Sequence, residues 1–398
     1  MTDQWVGPTS VSTGEPEPTN STGARRQASL DVTRALALVG VVVLNYHGFL
    51  NSGDDGINRS LSERILDPFV GPLATRFAAT FVVVAGMGVT LLTNRSRLAA
   101  SADAILADRW RLARRGLLLY TGGLLLEWVW PGTILFFYGA LFMAATLLFT
   151  LRLRWIATVG AVSALAGAAV AWFRFEHTHT GHNVMWLDPE VTSPRNLLFR
   201  TFIGYTHPLF PWLAFLCVGI MVGRFLPLAT RVRRELLLGA ASLLIGSYAL
   251  NHFATRATEA EGGPVVKGLF AQRGAPTDRW QLLLSTRPFD RGLLYTIGTI
   301  GSSLIAFCLI SMVVDRLATA PTIRMLQDGG QMTLTIYVCH ALVFNVVVHW
   351  LHWVRPTGLD SALVLGLTFW ISAIACGALW HRFLGMGPLE RVYRGFGG

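Results

Sequence analysis

Asn45, Tyr46 and His47 stand in a row near the end of an apolar run that begins at Leu30 and ends at Leu50. An imidazole titrates near neutral pH and can take a proton from a hydroxyl or an amine. Other apolar runs carry single polar groups: Arg76, Glu127, Tyr138, His207 and His340. A buried guanidinium holds an anion or polarises a carbonyl. His47, Arg76 and His340 are therefore the candidate catalytic residues, and Asn45, Glu127, Tyr138 and His207 the candidate substrate-binding residues. Such groups cost roughly 2.5 to 3.5 kcal/mol each at membrane depth on insertion scales, so each needs a partner or a cavity. The structural alternative is an interhelical hydrogen bond for a membrane histidine and an interfacial anchor for a tyrosine.

The elements that must position these groups follow from composition. The chain has 398 residues, 52% of them hydrophobic and only 14% charged, with a mean hydropathy of +0.48. Soluble domains carry about 25% charged residues, so a soluble multidomain enzyme is excluded. The apolar residues gather into stretches of roughly 18 to 25, the length that crosses a ~30 Å hydrocarbon core. They predict an all-α, polytopic integral membrane protein of about ten helices: 30–50, 69–93, 115–130, 133–151, 155–173, 205–226, 235–253, 293–314, 331–351 and 361–383. Residues 1–29 read as a disordered tail, 30–386 as the transmembrane domain and 387–398 as a C-terminal tail.

Orientation follows from the arginines, because basic segments stay in the cytoplasm. Placing both termini inside puts 20 basic residues on the inner side and 12 on the outer. The protein is then a multi-pass component of the cell membrane with membrane lipid as its surroundings. Two outer connections are long, about 174–204 and 254–291, and loops of that length tend to carry function. Of the 33 basic residues only Lys267 is a lysine, and they form no single stripe, so the net charge of +10 does not point to nucleic acid. Cys217, Cys308, Cys339 and Cys376 all lie in apolar stretches without metal spacing and read as small packing residues. The histidines of the HTHTGH segment, His177, His179 and His182, have no carboxylate or thiolate at matching spacing, so no metal is expected. Asp31 and Arg34 stand three apart on one helical face and should pair. Gly219 and Gly223 form a GxxxG that reads as a packing face. In the GPLE segment, Pro388 suits the first helical position and Glu390 the third, docking the tail.

The segment LDVTRALALVGVVVLNYHG resembles the first helix shared by the acyltransferase type 3 superfamily. It is closer still to the domain-of-unknown-function 418 (YeiB-like) family and the heparan-alpha-glucosaminide N-acetyltransferase catalytic domain. TRFAATFVVVAGMGVTLL, RRGLLLYTGGLLLE, ILFFYGALF, HPLFPWLAFLCVGIMVGR, GGQMTLTIYVCHALV and GPLERVYR follow in matching order, over nearly all the chain after the tail. The resemblance implies transfer of an acyl group, often acetyl from acetyl-CoA or another acyl-CoA, to a sugar, cell-envelope glycan or small-molecule acceptor at the outer face. Where acyltransferase type 3 proteins carry a histidine after an Arg and ten further residues, this chain has Asn45, with His47 two positions on. No histidine lies between Gly48 and Phe173, so the catalytic histidine does not carry over by motif.

On this reading Arg34, Arg114 and Arg115 are the donor-binding candidates, since guanidinium groups bind phosphate bidentately. His47 or His340 takes the acceptor's proton, and Arg76 and Tyr138 stabilise the oxyanion. The same polar groups are equally read as the path of a small-molecule or lipid transporter, although no inverted repeat is visible, or as a scaffold whose outer loops bind a partner. An oligomer is compatible with either.

Overall fold

In a computed structural model, residues 21–50, 60–179, 194–203, 207–260, 279–354 and 358–398 are described. Among the described residues the chain is all helix and turn: α1 (Ser21–Leu50), α2 (Leu61–Ile65), α3 (Arg76–Ala99), α4 (Ala102–Glu127), α5 (Leu135–Leu148), α6 (Leu153–His179), α7 (Pro194–Phe202), α8 (Leu209–Gly223), α9 (Thr230–Ala260), α10 (Arg279–Leu283), α11 (Leu293–Arg316), α12 (Pro321–Gly330), α13 (Thr333–Phe344), α14 (Leu359–Leu384) and α15 (Pro388–Gly397). A wider π-helical turn, Asn345–Trp350, continues α13. The first helix reaches back to Ser21, inside the segment read as a tail; residues 1–20 lie outside the described residues.

Each of the ten expected spans meets a helix, and seven of these helices are long and apolar enough to cross a membrane. The protein is thus a multi-pass membrane protein. Two of the others, α5 and α8, have 14 and 15 residues, about 21 and 22 Å at 1.5 Å each, short of the hydrocarbon thickness on their own. The second span starts at Arg76 rather than Phe69. Pro68 and Pro72 bar the helix upstream, and the Asp67 carboxylate instead accepts from the Phe69 and Val70 amides, both at 2.8 Å.

Packing divides into two main apolar clusters. One joins α3, α8 and α11 through Val83, Met87, Phe215, Ile220, Tyr295 and Phe307. Here the GxxxG face of α8 meets α3 backbone to backbone: a methyl group at Gly223 would come within 2.9 Å of the Met87 Cα, and one at Gly219 would strike the Val83 carbonyl. The other cluster joins α1, α13 and α14, with Leu38, Val42 and Tyr46 of α1 set against Ile336, Ala341 and Phe344. α1 is the shared wall, packed against α3, α11, α12, α13 and α14. Cys217 and Cys308 pack inside as expected, whereas Cys339 and Cys376 are exposed on outward helix faces.

Candidate functional site

Helical spacing puts Asn45 and Tyr46 on the side of α1 that faces α13. The Asn45 Nδ2 lies 3.3 Å from His340 Nε2, and the Tyr46 hydroxyl donates to the His340 carbonyl at 2.8 Å. His340 is fully buried, and its Nδ1 lies against the carbonyl oxygen of Tyr337 one turn back. A carbonyl can only accept, so Nδ1 carries the proton and Nε2 presents its lone pair to the Asn45 amide. Two polar residues 295 positions apart in sequence thus form one pair, with the imidazole held in a single tautomer.

Aromatic rings enclose the pair. The indole of Trp130 meets the His340 ring edge-on at 5.1 Å, and the Tyr337 ring lies 4.8 Å away. Trp130 and Thr133 come from the α4–α5 turn, which plugs into the bundle beside α13. There the Tyr337 hydroxyl is 3.1 Å from Thr133 Oγ1 and accepts from the Ile134 amide at 3.1 Å. Asn345 ties down the same turn by donating to the Val129 carbonyl at 3.1 Å. Sequence reading missed Trp130, Thr133 and Tyr337. Only Tyr337 carried a signal, three residues before His340 and so on the same helical face.

The start of α13 is fixed from outside its own segment. Met332 precedes the helix and cannot cap it. Instead Glu390 of α15 accepts from the Leu334 and Thr335 amides at 2.8 and 3.0 Å and from the Thr335 hydroxyl at 2.5 Å. The GPLE motif does dock the tail, but its carboxylate neutralises the N-terminus of α13, the helix that carries His340, rather than that of α15.

The other expected site residues have different partners. His47 Nδ1 donates to the Leu66 carbonyl at 2.8 Å, tying α1 to the α2–α3 connection. Arg76 turns to α11, where it donates to the Tyr295 carbonyl and to Thr299 Oγ1. Glu127 forms an ion pair with Arg200 of α7, both largely buried, so a segment of the long connection between α6 and α8 closes over the end of α4. The His207 ring sits edge-on to Trp212 at 4.6 Å and to Phe137 at 6.0 Å. The Tyr138 hydroxyl is buried without a hydrogen-bond partner, within electrostatic reach of Arg34 and Tyr337. The side chains of the HTHTGH histidines lie outside the described residues.

At the other end of α1 the expected pair forms, with Arg34 Nη1 to Asp31 Oδ1 at 2.9 Å. Arg115 stands over the Tyr393 ring of α15 at 5.1 Å, while Arg114 is exposed. Burial pushes the Tyr393 phenol up to about 12, against the charges of Arg115, Arg34 and Arg394, which favour its ionised form. Arg34 and Arg115 therefore converge on one residue. Electrostatic reach links Arg34 to Tyr138 and Tyr138 to Tyr337, whose ring lies 4.8 Å from that of His340.

Two comparisons with known families bear on this arrangement. Residues 26–252 match the family model described as heparan-alpha-glucosaminide N-acetyltransferase, catalytic, and residues 276–396 match the one described as protein of unknown function (DUF418). No curated protein matches the chain. The two matches divide the candidate site, Asn45 falling in the first and His340 in the second. Since the first match covers more than half of the chain, the protein belongs to the heparan-alpha-glucosaminide N-acetyltransferase catalytic-domain family, a membrane acetyltransferase family, with a C-terminal part of the DUF418 type.

Proposed function

We propose that the protein moves an acyl group from an acyl-CoA donor in the cytoplasm to a hydroxyl or amine on a sugar or other envelope acceptor outside, with His340 and Asn45 as the reacting pair. The observation that carries this reading is the fixed tautomer of His340, whose Nε2 lone pair points at an amide donor. Nε2 takes the proton from the acceptor as its oxygen or nitrogen attacks the thioester carbonyl. The Asn45 Nδ2 donates to the oxygen that becomes negative. Collapse of the tetrahedral intermediate breaks the carbon–sulfur bond, and the proton on Nε2 passes to the departing thiolate.

The polar run toward Arg34 and Arg115 supports a donor that enters from the arginine-rich end. Arg34 and Asn45 are eleven residues apart on one helix, about 16 Å of rise, a depth that an extended thioester arm has to bridge. Arg114, exposed beside them, is suited to the donor's phosphates. This reading keeps the ten-span topology with both termini in the cytoplasm, places the protein in the cell membrane, and retains His47 and Glu127 as walls of the acceptor side.

The test is transfer of radiolabelled acetyl from acetyl-CoA to envelope glycan in purified membranes. His340→Gln should lower the rate about 10²- to 10⁴-fold, the contribution of a general base, with Asn45→Ala lowering it about 10²-fold or more. Native rates in both variants would refute the assignment. Uptake of a solute into proteoliposomes lacking any acyl donor would favour a transporter instead.

A further inference from the structure

Arg76 is 5% exposed and opens α3. Its Nε donates to the Pro72 carbonyl at 3.4 Å and its Nη1 to Thr299 Oγ1 and the Tyr295 carbonyl. Nη2 is buried and has no partner. The guanidinium carbon lies 5.3 Å from the centre of the Tyr295 ring, which supplies attraction but no charge. No carboxylate among the described residues pairs with Arg76. The acidic group at that end of α11, Asp290, is taken by the Ser285 hydroxyl at 2.5 Å and by Arg287 at 3.8 Å. An unpaired cation at this depth is costly.

The surroundings deepen the imbalance. Tyr295 is the third residue of α11, so the N-terminal ends of α3 and α11 meet at Arg76. Neither end has a side-chain cap. Thr75, the residue that would cap α3, gives its hydroxyl to the Tyr295 phenol at 2.6 Å instead. It sits at φ 60, a conformation a β-branched residue rarely adopts. Each uncapped helix start carries a partial positive charge, although the Arg76 amide donates to the Leu73 carbonyl at 3.2 Å and the Tyr295 amide to the Ser285 carbonyl at 3.1 Å. Two of them beside a guanidinium with an unpartnered nitrogen leave a focus of positive potential that no carboxylate among the described residues pairs with.

We infer that Arg76, with the starts of α3 and α11, binds an oxyanion, the phosphate or carboxylate group of a ligand that enters at the end of the bundle where α1 finishes. The group sits on Nη2, the one guanidinium nitrogen without a partner, and the positive ends of the two helices lower its energy further. This site lies on the α3–α11 seam, not on the α1–α13 pair of the acyl-transfer reading, and does not depend on that reading. The shared chemistry is the oxyanion; its source is either an anionic lipid headgroup or a soluble anion.

The purified full-length protein in detergent is titrated at constant ionic strength with sodium phosphate, sodium acetate, dihexanoyl-phosphatidylglycerol and the zwitterionic dihexanoyl-phosphatidylcholine. Thermal unfolding and native mass spectrometry read the binding. Wild-type protein should be stabilised by at least one of the three anions and not by the zwitterion. Arg76→Gln should bind that anion about tenfold more weakly, the loss of one charge-assisted hydrogen bond, and Arg76→Lys should fall between. A response to phosphatidylglycerol alone identifies a lipid, and a response to phosphate or acetate a soluble anion. Failure of every anion to bind, or equal binding by wild type and Arg76→Gln, overturns the inference. If Arg76→Gln does not fold, Thr299→Val keeps the charge and removes the hydroxyl that holds Nη1. It should weaken anion binding severalfold, and unchanged affinity there is equally fatal.

Discussion

Removing the Glu390 carboxylate should loosen α13 and with it the Asn45–His340 pair. Glu390 is 8% exposed and accepts three hydrogen bonds at the start of α13, two of them from backbone amides. A buried amide left without an acceptor costs about 1 to 3 kcal/mol, and loss of a helix cap typically about 1. Water that enters the vacated space recovers part of this, so Glu390→Ala should cost about 2 to 4 kcal/mol, roughly a 30- to 700-fold shift in the unfolding equilibrium. Glu390→Gln retains an oxygen for both amides and turns its NH2 toward the Thr335 hydroxyl, which can accept. It loses the charge at the helix start and should cost only about 1 kcal/mol. The assay pairs reversible unfolding in mixed micelles with hydrogen exchange, in which the amides of Leu334 and Thr335 should lose protection in Glu390→Ala before those of α14. The reasoning is refuted if Glu390→Ala unfolds like wild type, or if Gln and Ala cost the same.

Two further outcomes follow from groups on the side where α1 ends. The buried Glu127–Arg200 pair holds α7 against α4, so a double-mutant cycle with Glu127→Gln and Arg200→Met should show a coupling of about 0.5 to 3 kcal/mol in stability; a coupling near zero would show that α7 is held by its apolar face alone. Burial raises the pKa of Asp290, opposed by its Ser285 hydrogen bond and by Arg287. A carboxyl whose folded pKa is raised holds its proton longer in the native state, so its contribution to stability declines as pH climbs from its ordinary range through the raised value. Asp290→Asn, which can still accept from Ser285, should abolish that decline, and unfolding midpoints measured from pH 4 to 8 check it.

How far the sequence reached can be judged residue by residue. Apolar run length located the helices, seven of them long and apolar enough to cross a membrane, because crossing hydrocarbon requires a helix of minimum length whatever it packs against. The same reading stretched the second span back to Phe69, since hydropathy does not register how Pro68, Pro72 and a capping Asp67 break a helix. The Asp31–Arg34 pair was legible because it is local, three residues apart on one helix. Asn45 and His340 were each legible as polar groups that must have a partner, but their partnership was not. Nor was the divergence of His47, Arg76 and Glu127, grouped by depth alone, toward Leu66, Thr299 and Arg200.

Depth in the membrane is a one-dimensional quantity that chain position and charge determine; the sequence by itself established an all-helical membrane protein and singled out a few polar groups within its apolar runs. Which of those groups touch depends on the rotation of each helix about its axis and on close glycine contacts such as Gly219 against Val83. Those are settled by packing among segments far apart in the chain. Only the tertiary structure could therefore bring His340 to Asn45, insert the α4–α5 turn beside them, and turn the GPLE carboxylate into the cap of the helix that carries the histidine.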